Sequence, residues 1–300
     1  MATISEALAI AIQHHQAGRL QAAEQIYRQI LAVEPNQADA WHLLGVIAHQ
    51  VRNHGIAVEY IGRAIGLNGN AAAFHFDLGN TLKDLGKLDD AVASYRRAIQ
   101  LRPNFAQAQN NLGVVLKNQG KREEAVACYH RALELKPDYA EAYGNLGNVL
   151  KDQGNLDEAV ACYSRALKLK PDFAEAHYNL GVALNDQGNP DDAIACFRRT
   201  IELKPEFAPA HSNLGLVLND QGKQEEAVAC WRRAVELKPD YAEAHCNLAD
   251  ALKDQGNLEE AIARCRRALQ LKPDLAEAHW NQSLLSLLTG DLERGWAEYQ

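Results

Sequence analysis

The chain has 300 residues, a formal net charge of −8 and 47% apolar residues. That acidity argues against a nucleic-acid binder, which needs a basic face to neutralise phosphates, and the apolar content is ordinary for a soluble protein. No segment approaches the about 18 consecutive apolar residues of a membrane span. The opening MATISEALAIAIQHHQAG lacks the basic start of a signal peptide and carries Glu6 early. It reads as a first helix, and the expected location is cytoplasmic, with neither membrane nor nucleic acid among the partners.

Taken in order, residues 1–3 form a leader and residues 4–71 two divergent repeats. The first keeps Gly18, Ala23, Tyr27 and Pro35; the second has Trp41, Leu44, Gly45, Ala57 and Ala64 but an irregular turn, VRNHG, and Gly69 where later copies have proline. Six regular 34-residue repeats fill residues 72–275, beginning at Ala72, Ala106, Ala140, Ala174, Ala208 and Ala242. Residues 276–300 read as an incomplete ninth repeat, or an exit toward a further domain. Its Leu-Gly pair is replaced by Gln282-Ser283, and Gly295, Trp296 and Tyr299 follow before the chain stops at Gln300. A stop inside an apolar helix face leads us to expect a longer parent protein.

One copy shows the logic, counting Ala140 as repeat position 1. Tyr143, Leu146, Gly147 and Leu150 fall within an arc of about 100° on a helix, one apolar stripe. Ala159, Tyr163, Ala166 and Leu167 form a second stripe. Gly154 ends the first helix in a left-handed conformation. Asn155 is expected to cap the second helix, with Glu158 three residues on, and Pro171 to stop it. Asp172, with Glu175 three later, is expected to open the next unit the same way. Such a unit cannot bury its apolar face alone and must stack on copies of itself.

These residues resemble the tetratricopeptide repeat (TPR) family, whose signature is Trp-x2-Leu-Gly-x2-Tyr, then Ala-x3-Phe, then Pro. Trp41, Leu44 and Gly45 carry the first part, with Ala48 in place of the tyrosine, and Ala193, Phe197 and Pro205 carry the rest. The resemblance covers almost the whole chain and implies an all-α, right-handed superhelix of antiparallel helix pairs whose first helices line an inner groove. Phrases such as AHSNLG and NLDEA, and the terminal TGDLERGWAEY, resemble the repeat regions of O-linked N-acetylglucosamine transferase and related bacterial TPR glycosyltransferases. In that family the repeats recruit protein substrates for a catalytic domain that follows.

Catalytic patterns are missing from the sequence: there is no Walker loop, G-x-S-x-G, H-E-x-x-H or C-x-x-C. The chain is expected to be non-enzymatic, without cofactor or metal. His75, His177, His211, His245 and His279 share repeat position 4, where packed layers about 8–10 Å apart cannot bring imidazoles to one ion. They read as packing residues on the buried stripe. Cys128, Cys162, Cys196 and Cys230 likewise recur at one position and are too far apart for disulfides. Carboxylate pairs such as Asp157-Glu158 complement the start of the second helix, and Lys136, Lys170, Lys204, Lys238 and Lys272 its end.

One row is not called for by folding. Repeat position 6 is Asn111, Asn145, Asn179, Asn213, Asn247 and Asn281, while the neighbouring position varies through Asn110, Gly144, Tyr178, Ser212, Cys246 and Trp280. Asparagine is a mediocre helix former, and its amide offers both a donor and an acceptor to a peptide backbone. Beside it run Asp84, Asp152, Asp186, Asp220 and Asp254 at position 13 and Glu141, Glu175, Glu243 and Glu277 at position 2. The expected function is a protein-interaction module holding proteins or peptides in extended conformation on this asparagine ladder, with acidic ligands disfavoured. The alternatives are the substrate-recruiting arm of a glycosyltransferase whose catalytic domain is absent here, and a purely structural scaffold. End-to-end self-association through the unfinished repeat is a further possibility.

Overall fold

The structure is a computed structural model that describes residues 3–291. Gly295, Trp296, Tyr299 and Gln300 lie outside the described residues. Within them every element is a helix, and the helices come in consecutive pairs: α1 (Ile4–Gln16) with α2 (Leu20–Val33), α3 (Ala38–Gln50) with α4 (His54–Leu67), α5 (Ala72–Asp84) with α6 (Leu88–Leu101), and α7 (Ala106–Asn118) with α8 (Arg122–Leu135). The series continues with α9 (Ala140–Asp152) and α10 (Leu156–Leu169), α11 (Ala174–Asp186) and α12 (Pro190–Leu203), α13 (Ala208–Asp220) and α14 (Gln224–Leu237), and α15 (Ala242–Asp254) and α16 (Leu258–Leu271), ending in α17 (Ala276–Leu288). The chain divides into two compact units, Met1–Val149 and Leu150–Gln300.

Apart from α3 and α4, where Arg52 takes the position, each pair is bent back on itself by a glycine in the left-handed region, Gly154 at φ 83° being representative. In that turn the Gly154 N–H donates to Lys151 and the Asn155 N–H to the Leu150 carbonyl, so the last carbonyls of a first helix are satisfied without side chains. The expected side-chain caps do not form. Asn155 sits at ψ 69° and makes no cap bond, and Phe173 rather than Asp172 precedes α11. Thr3, at ψ 159°, does cap its helix with Glu6 reciprocating. Asn53, at the same ψ of 69°, accepts from the Ile56 N–H at 3.5 Å, so the backbone angle alone does not decide whether the cap forms.

Packing within a pair is set by the glycine at repeat position 8 and the large side chain at position 24. A Cβ on Gly113 would lie 2.7 Å from Tyr129 Cε1, and one on Gly215 2.7 Å from Trp231 Nε1. Tyr95 and Tyr129 are completely buried by this approach. In the eighth repeat the partner is the smaller Cys265, and position 8 is Ala249; both are buried.

The buried face of the first helices is broader than the sequence stripe. Position 3, outside that stripe, is fully buried at Ala108, Ala142, Ala210 and Ala244. Position 10 is buried as well, at Val115, Val149, Ala183 and Val217. A first helix has its own partner on one side and the next pair on another, so two faces lose water. Position 4 is uneven: His245 is buried as expected, whereas His75, His177 and His211 are half-buried and His279 is exposed, a correction to their expected place on the core stripe.

Candidate peptide-binding surface on the first helices

Position-6 asparagines are half-buried, apart from Asn281, which is buried. The amides of Asn111, Asn145, Asn213 and Asn281 reach toward the preceding repeat. In the first unit Asn145 Nδ2 donates to Asn110 Oδ1 at 3.0 Å. In the second, Asn213 Nδ2 donates to the Tyr178 hydroxyl at 3.1 Å, and Asn281 Nδ2 approaches Cys246 Sγ at 3.5 Å. The acceptor in all three is position 5 of the repeat before. Asn110, Tyr178 and Cys246 share nothing but a lone pair, so at these three junctions the asparagine is kept while its acceptor varies.

Asn111 uses a different acceptor because Phe76 stands at the preceding position 5. It donates to Asn80 Oδ1 at 2.9 Å, and Asn80 Oδ1 also accepts from the buried Tyr95 hydroxyl at 2.8 Å. At the second junction the order is reversed: His42 Nε2 lies 2.8 Å from Asp77 Oδ2, with Asp77 at position 6. That pair was not singled out from sequence, although its spacing equals that of Asn110 and Asn145. Asn179 is half-buried on α11. Asn247 lines a cleft of about 490 Å³ on α15 and α17 with Cys246, Asp250, Glu277, Trp280 and Asn281, and Trp280 is 50% exposed there.

The carboxylates flanking this row are exposed at the last residue of each first helix, and several are already paired. Asp84 lies 3.3 Å from Lys83 and 3.4 Å from His49; Asp152 faces Lys151 at 3.7 Å and Asp254 faces Lys253 at 3.6 Å. Glu175 bonds Lys204, which holds its carboxyl below the ordinary range, and Glu243 bonds Lys272 at 3.1 Å. Among the described residues Asp186 and Asp220 make no ion pair, since asparagine replaces lysine at the residue before each. The acidic surface therefore centres on α11 and α13.

The histidines at position 4 have a specific task. His75, His177, His211, His245 and His279 each place Nε2 within 2.7–3.2 Å of the carbonyl six residues earlier. Trp41 Nε1 donates to the Pro35 carbonyl in the same way at 2.8 Å. Histidine thus replaces the signature tryptophan by supplying the same N–H. The six cysteines are free thiols, and burial pushes those of Cys128, Cys162, Cys196 and Cys230 up to about 11. Among the described residues no three His, Cys, Asp or Glu side chains are grouped to hold a metal, and no helix is long and apolar enough to cross a membrane.

Helix pairs repeating every 34 residues, with polar rows carried on the first helices, define an all-α repeat scaffold. Family models described as TPR repeat match residues 79–120, 117–154, 147–188, 216–256 and 249–282, and others described as tetratricopeptide repeat match 5–47, 38–70 and 174–207. The chain belongs to the tetratricopeptide repeat family. No curated protein matches it in sequence. Among solved structures it is similar to YrrB, described as a TPR protein with an unusual peptide-binding site, at 26% identity and TM-score 0.53 over 66% of this chain and 98% of that one. It is similar to MamA at 27% identity and TM-score 0.51, over 58% of this chain and 96% of the other. PilF of Pseudomonas aeruginosa shares the fold at 20% identity and TM-score 0.66, over 72% of this chain and all of its own.

Proposed function

We propose that this chain is a non-catalytic protein-interaction scaffold that holds extended polypeptide along the asparagine row of its first helices. The observation that carries the reading is the orientation of the amides. One N–H of Asn145 and one of Asn213 are directed at the preceding repeat, which holds each half-buried amide in a fixed attitude before any ligand arrives. Pre-ordered groups lose less entropy on binding. The Asn247–Trp280 cleft supplies an aromatic face on the same set of helices. The peptide-binding site named for YrrB supports a peptide ligand here. Each net hydrogen bond adds about 0.5–1.5 kcal/mol, enough in sum for micromolar, sequence-tolerant capture. The carboxylates of Asp186 and Asp220 favour neutral or basic segments over acidic ones.

An array of extended 15-residue peptides, neutral hydroxyl-rich, basic and acidic, tests the reading. The chain should retain the first two classes and reject the third. Replacing Asn145, Asn179 and Asn213 together by alanine should weaken binding at least tenfold at a temperature where circular dichroism shows the variant folded. Equal affinity in that folded variant would show that the amides serve stacking alone.

A further inference from the structure

The turn joining α3 to α4 departs from every other turn described. Arg52 occupies the left-handed region at φ 61°, where the equivalent residue of other repeats is glycine. On either side of it stand His49 and His54, whose Nδ1 atoms approach to 3.3 Å. Their ring centroids are 5.1 Å apart and their planes inclined by 58°. The other nitrogen of His49 lies 3.4 Å from Asp84 Oδ2 on α5, and the His49 side chain remains 26% exposed.

Two nitrogens bound to one ion at about 2.0–2.1 Å and separated by a tetrahedral angle stand about 3.3 Å apart. The His49–His54 spacing equals that chord. Asp84 Oδ2, 3.4 Å from His49 Nε2 as an ion-pair contact rather than a formed hydrogen bond, is near enough to draw the proton of a ligating imidazole to Nε2 and leave the Nδ1 lone pair of His49 for a metal. We propose that His49 and His54 bind a divalent transition cation, Zn2+, Ni2+ or Cu2+, through their Nδ1 atoms. Imidazole nitrogen suits these ions rather than Mg2+ or Ca2+. With two protein ligands the remaining positions belong to water, so the site is an exchangeable one on the surface and not a folding element.

The chain contains 11 histidines and 6 cysteines, so the test must report on these two rings. Long-range proton–nitrogen NMR of the 300-residue chain, titrated with Zn2+ alone, should shift the Nδ1 resonances of His49 and His54 together, saturating at one ion, while His49 Nε2 stays protonated. His54→Ala, at the half-buried first residue of α4, should keep the helical spectrum and lose the shift at His49. Asp84→Asn should weaken binding about 10–100-fold. If Zn2+ leaves both Nδ1 resonances unmoved, the contact is an N–H···N hydrogen bond between neutral rings and the proposal fails. It fails equally if His54→Ala binds as tightly as the unaltered chain.

Discussion

Gly113→Ala separates steric contact from helix propensity. Alanine is better than glycine in a helix interior by about 1 kcal/mol, so propensity alone predicts a gain. At Gly113 the new methyl would lie 2.7 Å from Tyr129 Cε1 and 2.9 Å from Cζ, roughly 1 Å inside ordinary carbon–carbon contact. Tyr129 is fully buried and cannot swing aside, so the cost falls in the range of about 1–3 kcal/mol for overpacking. Gly62 on α4 is the control, because nothing lies within 4 Å of its would-be Cβ. Gly62→Ala should raise the urea midpoint and Gly113→Ala lower it, with the difference in unfolding free energy, about 1–3 kcal/mol, reporting the steric term. Ala249→Gly should also lower the midpoint, because Cys265 leaves room that alanine fills. If Gly113→Ala were as stable as Gly62→Ala, helix pairs would be free to part by the width of a methyl, and the account of their spacing would be wrong.

Two other substitutions probe buried polar atoms. The Tyr129 hydroxyl is buried without a hydrogen-bond partner, so Tyr129→Phe should leave the melting midpoint unchanged or raise it, whereas Tyr95→Phe, which breaks the 2.8 Å bond to Asn80, should cost about 1 kcal/mol. His245 is buried, its Nδ1 has no partner, and burial holds its pKa below the usual histidine value, with Arg264 and Arg267 acting in the same sense. The unfolded chain therefore takes up the proton first, so stability is full above about pH 6.5 and falls as pH drops below it. His245→Gln, which keeps an N–H for the Pro239 carbonyl but does not titrate, should flatten the urea midpoint between pH 7.5 and 5; an unchanged slope would assign the pH dependence elsewhere.

Periodicity made the architecture legible, because every repeat buries the same positions and a 34-residue shift aligns them. What escaped the sequence did so for definable reasons. Alanine at position 3 gives little hydrophobic contrast, yet it is buried where two helices close on a third, at Ala142 and Ala210 for example. Asn155 has the composition of a cap but makes no cap bond, while Asn53 at the same ψ of 69° does, so residue type at the helix start does not tell the two apart. The position-4 histidines read from sequence as packing residues; their actual task, one N–H aimed at a carbonyl six residues earlier, belongs to a loop whose path only coordinates give.

The asparagine row is the instructive case. A residue repeated without propensity or core packing to explain it must be making a specific contact, and the first such contact is with the neighbouring repeat: Asn145 to Asn110, Asn213 to Tyr178. Inter-layer bonding and ligand reading are compatible, since an amide has two N–H groups and a carbonyl. Each, however, predicts a different cost of removal. Loss of the inter-layer bond acts on every molecule, bound or free, and lowers stability by about 1 kcal/mol per site; loss of a ligand contact acts on affinity alone. Variation at position 5 then has a double meaning. Replacing Tyr178 by phenylalanine would remove the acceptor for Asn213 without touching any asparagine, so a change in peptide affinity in that variant would come through the attitude of the amide, and its absence would leave the row bonding layers without reading a ligand.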